Sequence, residues 1–154
     1  MNWALAQSIA DLSNRWRNHF SRWRSLPKSG HLRRGARGEK LAYRFLKRSG
    51  YKVLLRNFRG RSGGEIDVVC RDNDTLVFVE VKTRAGEDFG RPFEAVDREK
   101  QKRISRGALA WLRMLDNPDI LFRFDVVEVI IAGDAKPRVE LIKNAFPLSK
   151  PYLY

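Results

Sequence analysis

The 154-residue sequence has very few of the side chains that form disulfides and soft-metal sites, with one cysteine and two histidines. A single cysteine excludes an intramolecular disulfide and a cysteine-rich zinc module, and it fits a reducing compartment such as the cytoplasm. Cys70 lies in an apolar run, which favours a buried structural thiol over a nucleophile. His19 and His31 lack ligand-like spacing, so we interpret both as surface residues.

The sequence also lacks an apolar run of about 18 residues, so we expect no transmembrane helix. Its N-terminus lacks the apolar core and cleavage site of a signal peptide. The length predicts one domain with a short appendage. We predict an amphipathic helix and linker over 1–30, a folded domain over 31–147 and an irregular tail over 148–154.

Acidic residues are scarce relative to basic ones: 18 Asp and Glu face 31 Lys and Arg, a formal net charge of +13. A globular chain this basic indicates a polyanionic partner, either nucleic acid or an anionic membrane surface. The alternative is a basic protein without a specific partner.

Residues 64–71 and 75–83 form the most informative stretch of the chain. They are rich in Val, Ile, Phe and Thr, which favour β-strands, and a turn-forming segment separates them. We predict a hairpin whose turn at Asn73-Asp74 pairs Val68 with Val79 and Cys70 with Val77.

This register has a consequence for the charged residues inside the strands. Because side chains alternate between the two faces, it places Asp67 opposite Glu80 and Glu65 opposite Lys82. A slip of one residue would mix charged and apolar side chains on each face. The other face is predicted to be entirely apolar and to carry Ile66, Val68, Cys70, Val77, Val79 and Val81.

Opposed carboxylates on paired strands repel one another, since their Cβ atoms lie roughly 4.5–5.5 Å apart. A positive group between Asp67 and Glu80 would relieve the repulsion, and Lys82 and a bound cation are the two candidates. Clustered carboxylate oxygens suit Mg²⁺ or Mn²⁺. The alternative is an exposed sheet face with a ladder of salt bridges.

An apolar stripe with spacings of three and four residues predicts an amphipathic helix over 3–24. Pro27 and Gly30 then mark a linker. We expect this helix to pack on the following domain or on a second copy of the chain, which would form a homodimer. Binding along a membrane surface or along nucleic acid are the alternatives.

The rest of the chain predicts an α/β domain with a mixed sheet of about five strands flanked by helices. One helix is capped by Gly50 in the left-handed conformation, and another begins at Asp97 as N-cap. The second lies between the third and fourth strands, which permits a parallel crossover. The predicted helices span 34–49 and 97–115, the other strands 51–57, 120–131 and 138–143, and the loops 58–63 and 84–93.

Several of these segments together resemble the YraN family of bacterial proteins over roughly 31–147. They are Glu39 in a helix, GGEID at 63–67, VFVEVKTR at 77–84, and Lys100-Gln101 followed by RFDVV at 123–127. That family is similar to the restriction-endonuclease-like PD-(D/E)xK superfamily, which includes archaeal Holliday-junction resolvases. The resemblance implies a restriction-endonuclease-like fold.

The resemblance also implies a catalytic set of Glu39, Asp67, Glu80 and Lys82. Asp67 and Glu80 match the acids that hold a divalent metal, Lys82 matches the motif lysine, and Glu39 matches the helix acid. Glu65 is an additional acid that contacts the metal through water or pairs with Lys82. An Ile-Asp pair replaces the PD dipeptide.

The implied activity is hydrolysis of nucleic-acid phosphodiesters with Mg²⁺ or Mn²⁺, and DNA is favoured over RNA. No base-reading motif is visible, so structure-selective binding is expected rather than sequence-specific binding. The alternatives are a catalytically silent nucleic-acid-binding domain on the same fold and a membrane-associated or scaffolding protein. The predicted contacts to nucleic acid come from Arg59, Arg61, Lys100, Gln101, Lys102 and Arg103.

Overall fold

A computed structural model describes residues 30–60, 63–86, 96–116 and 119–151 of the chain. The predicted N-terminal helix over 3–24 lies outside the described residues. Arg61, most of the loop predicted over 84–93 and the end of the tail also lie outside them.

Helices and strands follow one another in the predicted order. The largest differences in boundary are that the first helix begins at Gly30, the first strand continues to Arg59, the fourth begins at Phe122 and the last continues to Phe146. The first and last strands are longer than predicted because their ends remain paired, Arg59 with Glu65 and Phe146 with Phe124. In the described residues the elements are α1 (Gly30–Arg48), β1 (Lys52–Arg59), β2 (Glu65–Asp72), β3 (Thr75–Arg84), α2 (Arg98–Met114), β4 (Phe122–Ile130) and β5 (Arg138–Phe146).

The five strands form one mixed sheet in the order β1-β2-β3-β4-β5. Neighbouring strands are antiparallel except β3 and β4, which run parallel. Parallel neighbours need a long crossover connection, and α2 lies within it. The predicted α/β architecture with a mixed five-stranded sheet and flanking helices is therefore confirmed.

The β2–β3 hairpin has the predicted register over its turn-proximal half, where Val68 pairs with Val79 and Cys70 with Val77. The turn at Asn73-Asp74 is also as predicted, and Asn73 adopts a φ of 53°. Asparagine tolerates this left-handed conformation better than most residues.

The ladder between β2 and β3 ends at the Val68–Val79 pair. The predicted continuation, with Asp67 opposite Glu80 and Glu65 opposite Lys82, is therefore wrong. Beyond that pair β2 remains paired with β1 and β3 with β4. The two central strands thus separate where their acidic residues lie.

The sheet is covered on both faces. The predicted apolar face of the hairpin is confirmed except at Ile66, whereas the opposite face carries Leu76 and Phe78 in a second core and is not wholly charged as predicted. One core cluster contains Ala42 and Leu46 of α1, and the other contains Ile104 and Trp111 of α2. Ile66 lies in the α2 cluster, whereas Val68 and Cys70 lie in the α1 cluster. Cys70 is buried as predicted, and burial raises the pKa of its thiol to about 12.

Both helices have the predicted terminal signals. Gly50 has a φ of +88° just after α1, and the Tyr51 N–H donates to the Leu46 carbonyl over 3.0 Å. This geometry satisfies a helix-terminal carbonyl. At the start of α2, the Asp97 carboxylate accepts a hydrogen bond from the Lys100 backbone N–H over 2.7 Å.

Glycines allow both helices to approach the strands that carry the acidic residues. A Cβ atom on Gly38 of α1 would overlap the Thr83 side chain of β3. A Cβ atom on Gly64, just before β2, would overlap the backbone of Gly107 in α2. These contacts place Glu39 and Lys100 beside the gap between β2 and β3.

Candidate functional site

Asp67 lies where β2 and β3 separate. Its Oδ2 atom accepts a hydrogen bond from the Val81 backbone N–H over 2.8 Å. This bond replaces a strand-to-strand hydrogen bond at the end of the ladder and fixes the half-buried carboxylate between the two strands. Asp67 can reach the Val81 N–H because β2 and β3 separate at this point, where the predicted register ends.

Glu80 is the most buried acid at this gap, with 5% of the residue exposed. It shares the α2 side of β3 with Leu76 and Phe78, because side chains alternate along the strand. Burial raises the pKa of Glu80 to about 8, and the neighbouring Asp67 carboxylate contributes to the increase. One oxygen, Oε2, is buried without a hydrogen-bond donor.

Lys100 supplies the ammonium group of the cluster. Its Nζ donates to Glu65 Oε1 over 2.8 Å and lies 3.2 Å from Glu80 Oε2, a contact between charges without hydrogen-bond geometry. Burial alone would lower the pKa of Lys100, but the hydrogen bond to Glu65 and the negative charges of Glu80 and Asp67 raise it. The group is therefore a stable cation at neutral pH.

This arrangement corrects the predicted role of Lys82 as the internal counter-ion. Lys82 is exposed on β3, and no hydrogen bond or ion pair joins its side chain to another described residue. Glu65 pairs with Lys100 instead, and this hydrogen bond lowers the pKa of Glu65. The sequence contained a signal for this pairing, because Lys100 lies four residues before Ile104 on the buried stripe of α2.

Glu39 approaches the same gap from the α1 side and is half-buried. Burial raises its pKa, the Asp67 carboxylate raises it further, and the Arg56 guanidinium partly offsets both effects. Asp67 is thus close enough to influence the ionisation of Glu39. The structure brings together all four predicted acids: Glu39, Glu65, Asp67 and Glu80.

The acids do not form a complete ligand set by themselves. Within the described ranges, no three or more His, Cys, Asp and Glu side chains are grouped so that they could hold a metal ion. Mg²⁺ usually needs only one or two protein carboxylates, because water and substrate phosphate provide its other ligands. Asp67 and Glu80 together provide the carboxyl groups for a site of that kind.

Comparison with known sequences identifies the relatives of this chain. The profile of a family described as "Uncharacterised protein family UPF0102" matches residues 38–129. The chain belongs to the UPF0102 family. The prediction of a YraN-like protein is confirmed at this level.

Bacterial UPF0102 proteins share nearly half or more of the aligned residues with the chain. A UPF0102 protein of Geobacter sulfurreducens is 50% identical over 115 residues, which are 75% of this chain and 89% of the relative. One from Symbiobacterium thermophilum is 49% identical over 112 residues, 73% of this chain and 94% of the relative. One from Nocardia farcinica is 47% identical over 112 residues, which are 73% of this chain and 87% of the relative.

The gap between β2 and β3 with its four acids, Glu39, Glu65, Asp67 and Glu80, is called the acidic gap below, and the region matched by the family profile contains all of it together with Lys100. Most of the residues predicted to contact nucleic acid in this region instead form contacts within the protein. Besides Lys100, the Gln101 amide donates to the Val96 carbonyl over 2.9 Å. Lys102 pairs with Glu99 over 2.8 Å, and Arg103 Nη1 lies 3.9 Å from Glu65 Oε1. Arg59 is exposed at the end of β1, not in a loop as predicted.

A second buried acid in the UPF0102 span, Asp125, was not predicted. It is 0% exposed on the α1 side of the sheet. Its Oδ1 accepts from Arg123 Nε and from the Asn144 N–H, both over 2.9 Å, and its Oδ2 accepts from the Tyr51 hydroxyl over 3.4 Å. Arg123 Nη2 also pairs with Asp72 Oδ2 over 2.7 Å. The signal for this cluster was the presence of charged residues inside the apolar run RFDVVEV.

The described part of this UPF0102 protein contains two helices, α1 and α2, and both are rich in lysine and arginine. None of its helices is both long enough and apolar enough to cross a membrane.

Proposed function

We propose that this UPF0102 protein is a metal-dependent nuclease of the restriction-endonuclease-like superfamily, which hydrolyses nucleic-acid phosphodiesters in a structure-selective way. The observation that carries the proposal is the pair of carboxyl groups at the gap between β2 and β3. Glu80 is buried beside Asp67, its pKa is raised to about 8, and its Oε2 atom lies 3.2 Å from the Lys100 ammonium. Buried carboxyl groups with strongly raised pKa values that face a second carboxylate are typical of functional sites.

The proposed metal ligands are Asp67 and Glu80, with Mg²⁺ or Mn²⁺ as the ion. When bound, such an ion polarises the scissile phosphate and lowers the pKa of a bound water. Glu39 and Glu65 would orient the surrounding water molecules, as outer-shell carboxylates commonly do. The hydrogen bond from the Val81 N–H keeps one Asp67 oxygen in place and leaves the other for the ion.

The two lysines have different proposed roles. Lys82 is exposed two residues beyond Glu80, so its ammonium is accessible to substrate and would orient the attacking water or stabilise charge on the phosphate. Lys100 contacts Glu80 and Glu65 and holds their carboxylates in position. It is a positioning residue rather than a phosphate contact.

The test is a cleavage assay on branched, single-stranded and duplex DNA and RNA with Mg²⁺ or Mn²⁺, combined with calorimetric metal titration. Asp67→Asn should abolish cleavage and weaken metal binding at least about tenfold, because a charged ligand is lost. Lys82→Ala should also abolish cleavage but keep metal affinity within about twofold, since it removes no ligand. Wild-type protein that binds no divalent ion even with nucleic acid present would contradict the proposal.

A catalytically silent nucleic-acid-binding protein is the second candidate function. The observation that favours it is the ion contact of Lys100 with Glu80, which provides a cation without any metal. Metal-independent binding, with no cleavage of any substrate and no heat of Mg²⁺ binding, would establish this alternative.

A further inference from the structure

The two helices of the domain differ in how many of their basic residues form ion pairs. On α2, Lys102 pairs with Glu99, and Lys100 pairs with Glu65 and Glu80. On α1, no ion pair joins a lysine or arginine to an acid among the described residues. The basic residues of α1 therefore remain available to an external partner.

The exposed face of α1 is exclusively basic. Glu39 is the one acid in the α1 sequence, and it lies on the inner margin, where Asp67 influences its pKa. Spacings of three and four residues align the basic side chains in one stripe, in which like charges repel each other. This stripe, called the α1 basic face below, consists of Arg34, Arg37, Lys40, Arg44, Lys47 and Arg48, all of them exposed.

We infer that the α1 basic face binds the sugar-phosphate backbone of nucleic acid and delivers it to the acidic gap. The inference rests on the nucleic-acid partner of the proposed function and names the surface that binds it. From Arg34 to Arg48 the helix rises about 21 Å at 1.5 Å per residue. One strand of a duplex carries about six phosphates over that length, which matches a row of six cations.

The α1 basic face is continuous with the acidic gap. Tyr43 lies one helical turn after Glu39, and both Lys47 and Arg56 lie over its ring. The Lys47 Nζ is 5.6 Å and the Arg56 Cζ 4.9 Å from the ring centroid. Arg56 also acts on the ionisation of Glu39. A backbone bound along α1 would therefore meet Arg56 immediately before it reached Glu39 and Asp67.

The other end of the α1 basic face opens into a cavity of about 320 Å³ lined by Arg34, Arg37, Ile131 and Gly133. Two guanidinium groups at one concavity suit a phosphate, which arginine binds in a bidentate manner. A phosphate held there would belong to the backbone bound along α1.

Anionic membranes also attract basic helices, but the geometry of α1 favours nucleic acid. A helix that lies on a membrane inserts an apolar face into the headgroup region. In α1 that face is already packed on the sheet, where Ala42 and Leu46 are 0% exposed. The exposed lysine and arginine side chains described on α1 offer charge, and its apolar side chains Leu41 and Phe45 are partly buried.

The test compares two full-length triple variants that lose the same charge. Arg37→Gln, Lys40→Gln and Arg44→Gln remove half of the charge of the α1 basic face, and Arg98→Gln, Lys102→Gln and Arg113→Gln remove the same charge from exposed positions on α2. The probes are fluorescent single-stranded DNA and the corresponding duplex, titrated with protein in EDTA over a range of KCl concentrations. Thermal melts check that both variants remain folded.

The α1 variant should bind the duplex at least about tenfold more weakly and reduce the log–log salt slope by about 3, since each phosphate contact contributes about 0.9. The α2 variant should change affinity by less than about twofold. Equal losses in both variants, or a loss in the α2 variant alone, would overturn the inference while leaving nucleic-acid binding intact. Wild-type protein that binds phosphatidylserine vesicles but no DNA or RNA would overturn both the inference and the proposed function.

Discussion

Asp125 and Glu80 are two buried acids on opposite faces of one sheet, and their surroundings differ completely. Asp125 accepts hydrogen bonds from Arg123, Tyr51 and the Asn144 backbone. Glu80 faces another carboxylate, lies beside the Lys100 ammonium and has a pKa raised to about 8. A buried carboxylate with donors on both oxygens indicates a structural role, whereas a buried carboxyl group opposed by a second acid indicates a functional site. The comparison predicts opposite responses to the same type of substitution.

The largest expected effect is the loss of stability in Asp125→Asn. The amide would place an N–H₂ group against the donors of Arg123 and leave the guanidinium without its buried counter-ion. Breaking a buried ion pair from one side costs about 3–5 kcal/mol in free energy of unfolding. Urea denaturation at pH 7 measures this, with the exposed change Asp134→Asn as a control expected within about 0.5 kcal/mol. A loss below about 1 kcal/mol would mean that the cluster is not structural.

Glu80→Gln should increase the free energy of unfolding, and the size of the increase should depend on pH. Because the folded-state pKa of Glu80 is raised to about 8, the native protein holds this proton over a range where the unfolded chain has released it. The stability contributed by the protonated form is complete below the unfolded pKa, near 4.5, and is lost as the pH rises through 8. Glutamine mimics the neutral form, so the variant should be more stable than wild type by roughly 1–3 kcal/mol at pH 9.

The difference between Glu80→Gln and wild type should disappear near pH 4, where Glu80 is protonated in both the folded and the unfolded state. Urea denaturation at several pH values without divalent ions gives the profile. Glu140→Gln is a matched control, since this residue is exposed on β5. A gain that is the same at pH 4 and pH 9 would show that packing, not ionisation, causes it.

Asp67→Asn makes the same chemical change as Asp125→Asn, but at the acidic gap. The side-chain carbonyl can still accept the Val81 N–H, and the repulsion that arises when Glu80 ionises above about pH 8 disappears. We expect a gain of up to about 1 kcal/mol in EDTA at pH 9. Adding Mg²⁺ should raise the melting temperature of wild type but not of the variant. A loss as large as that of Asp125→Asn would place Asp67 in a structural salt-bridge network instead.

The smallest expected effect concerns Lys143, at the exposed edge of the hydrogen-bonded cluster around Asp125. Lys143 pairs with Asp72 over 3.2 Å, but 57% of its side chain is exposed. Solvent screening limits such pairs to about 0–1 kcal/mol, so Lys143→Met should lie within that range in the same urea assay. A loss comparable to that of Asp125→Asn would show that the cluster depends on its surface cation rather than on its buried core.

Local features of the sequence predicted much of the fold. The turn at Asn73-Asp74 fixed the pairing of Val68 with Val79, because turn geometry and side-chain alternation act over a few residues. Asp97 and Gly50 marked helix ends because capping involves only neighbouring backbone groups. Family membership was likewise recognisable from short motifs around the hairpin.

The candidate site was predicted in part. Glu39, Asp67 and Glu80 were identified from strand alternation and resemblance, and the structure brings them to one gap. The partner of Glu65 was assigned to Lys82 because an ideal ladder would place the two side by side. The strands separate before that point, so Lys100 of α2 occupies the position instead.

The sequence by itself determined the order of elements, the hairpin turn, the helix caps and the excess of positive charge, since each depends on local pattern or composition. Only the tertiary structure decided which charges neutralise one another. The packing of α2 on β2 and β3 directs Lys100 at Glu65 and Glu80, while α1 packs through Ala42 and Leu46 and leaves its cations outside. Ion pairing depends on distances of a few ångströms between residues far apart in the chain, and those distances are set by how helices dock, not by their sequences alone.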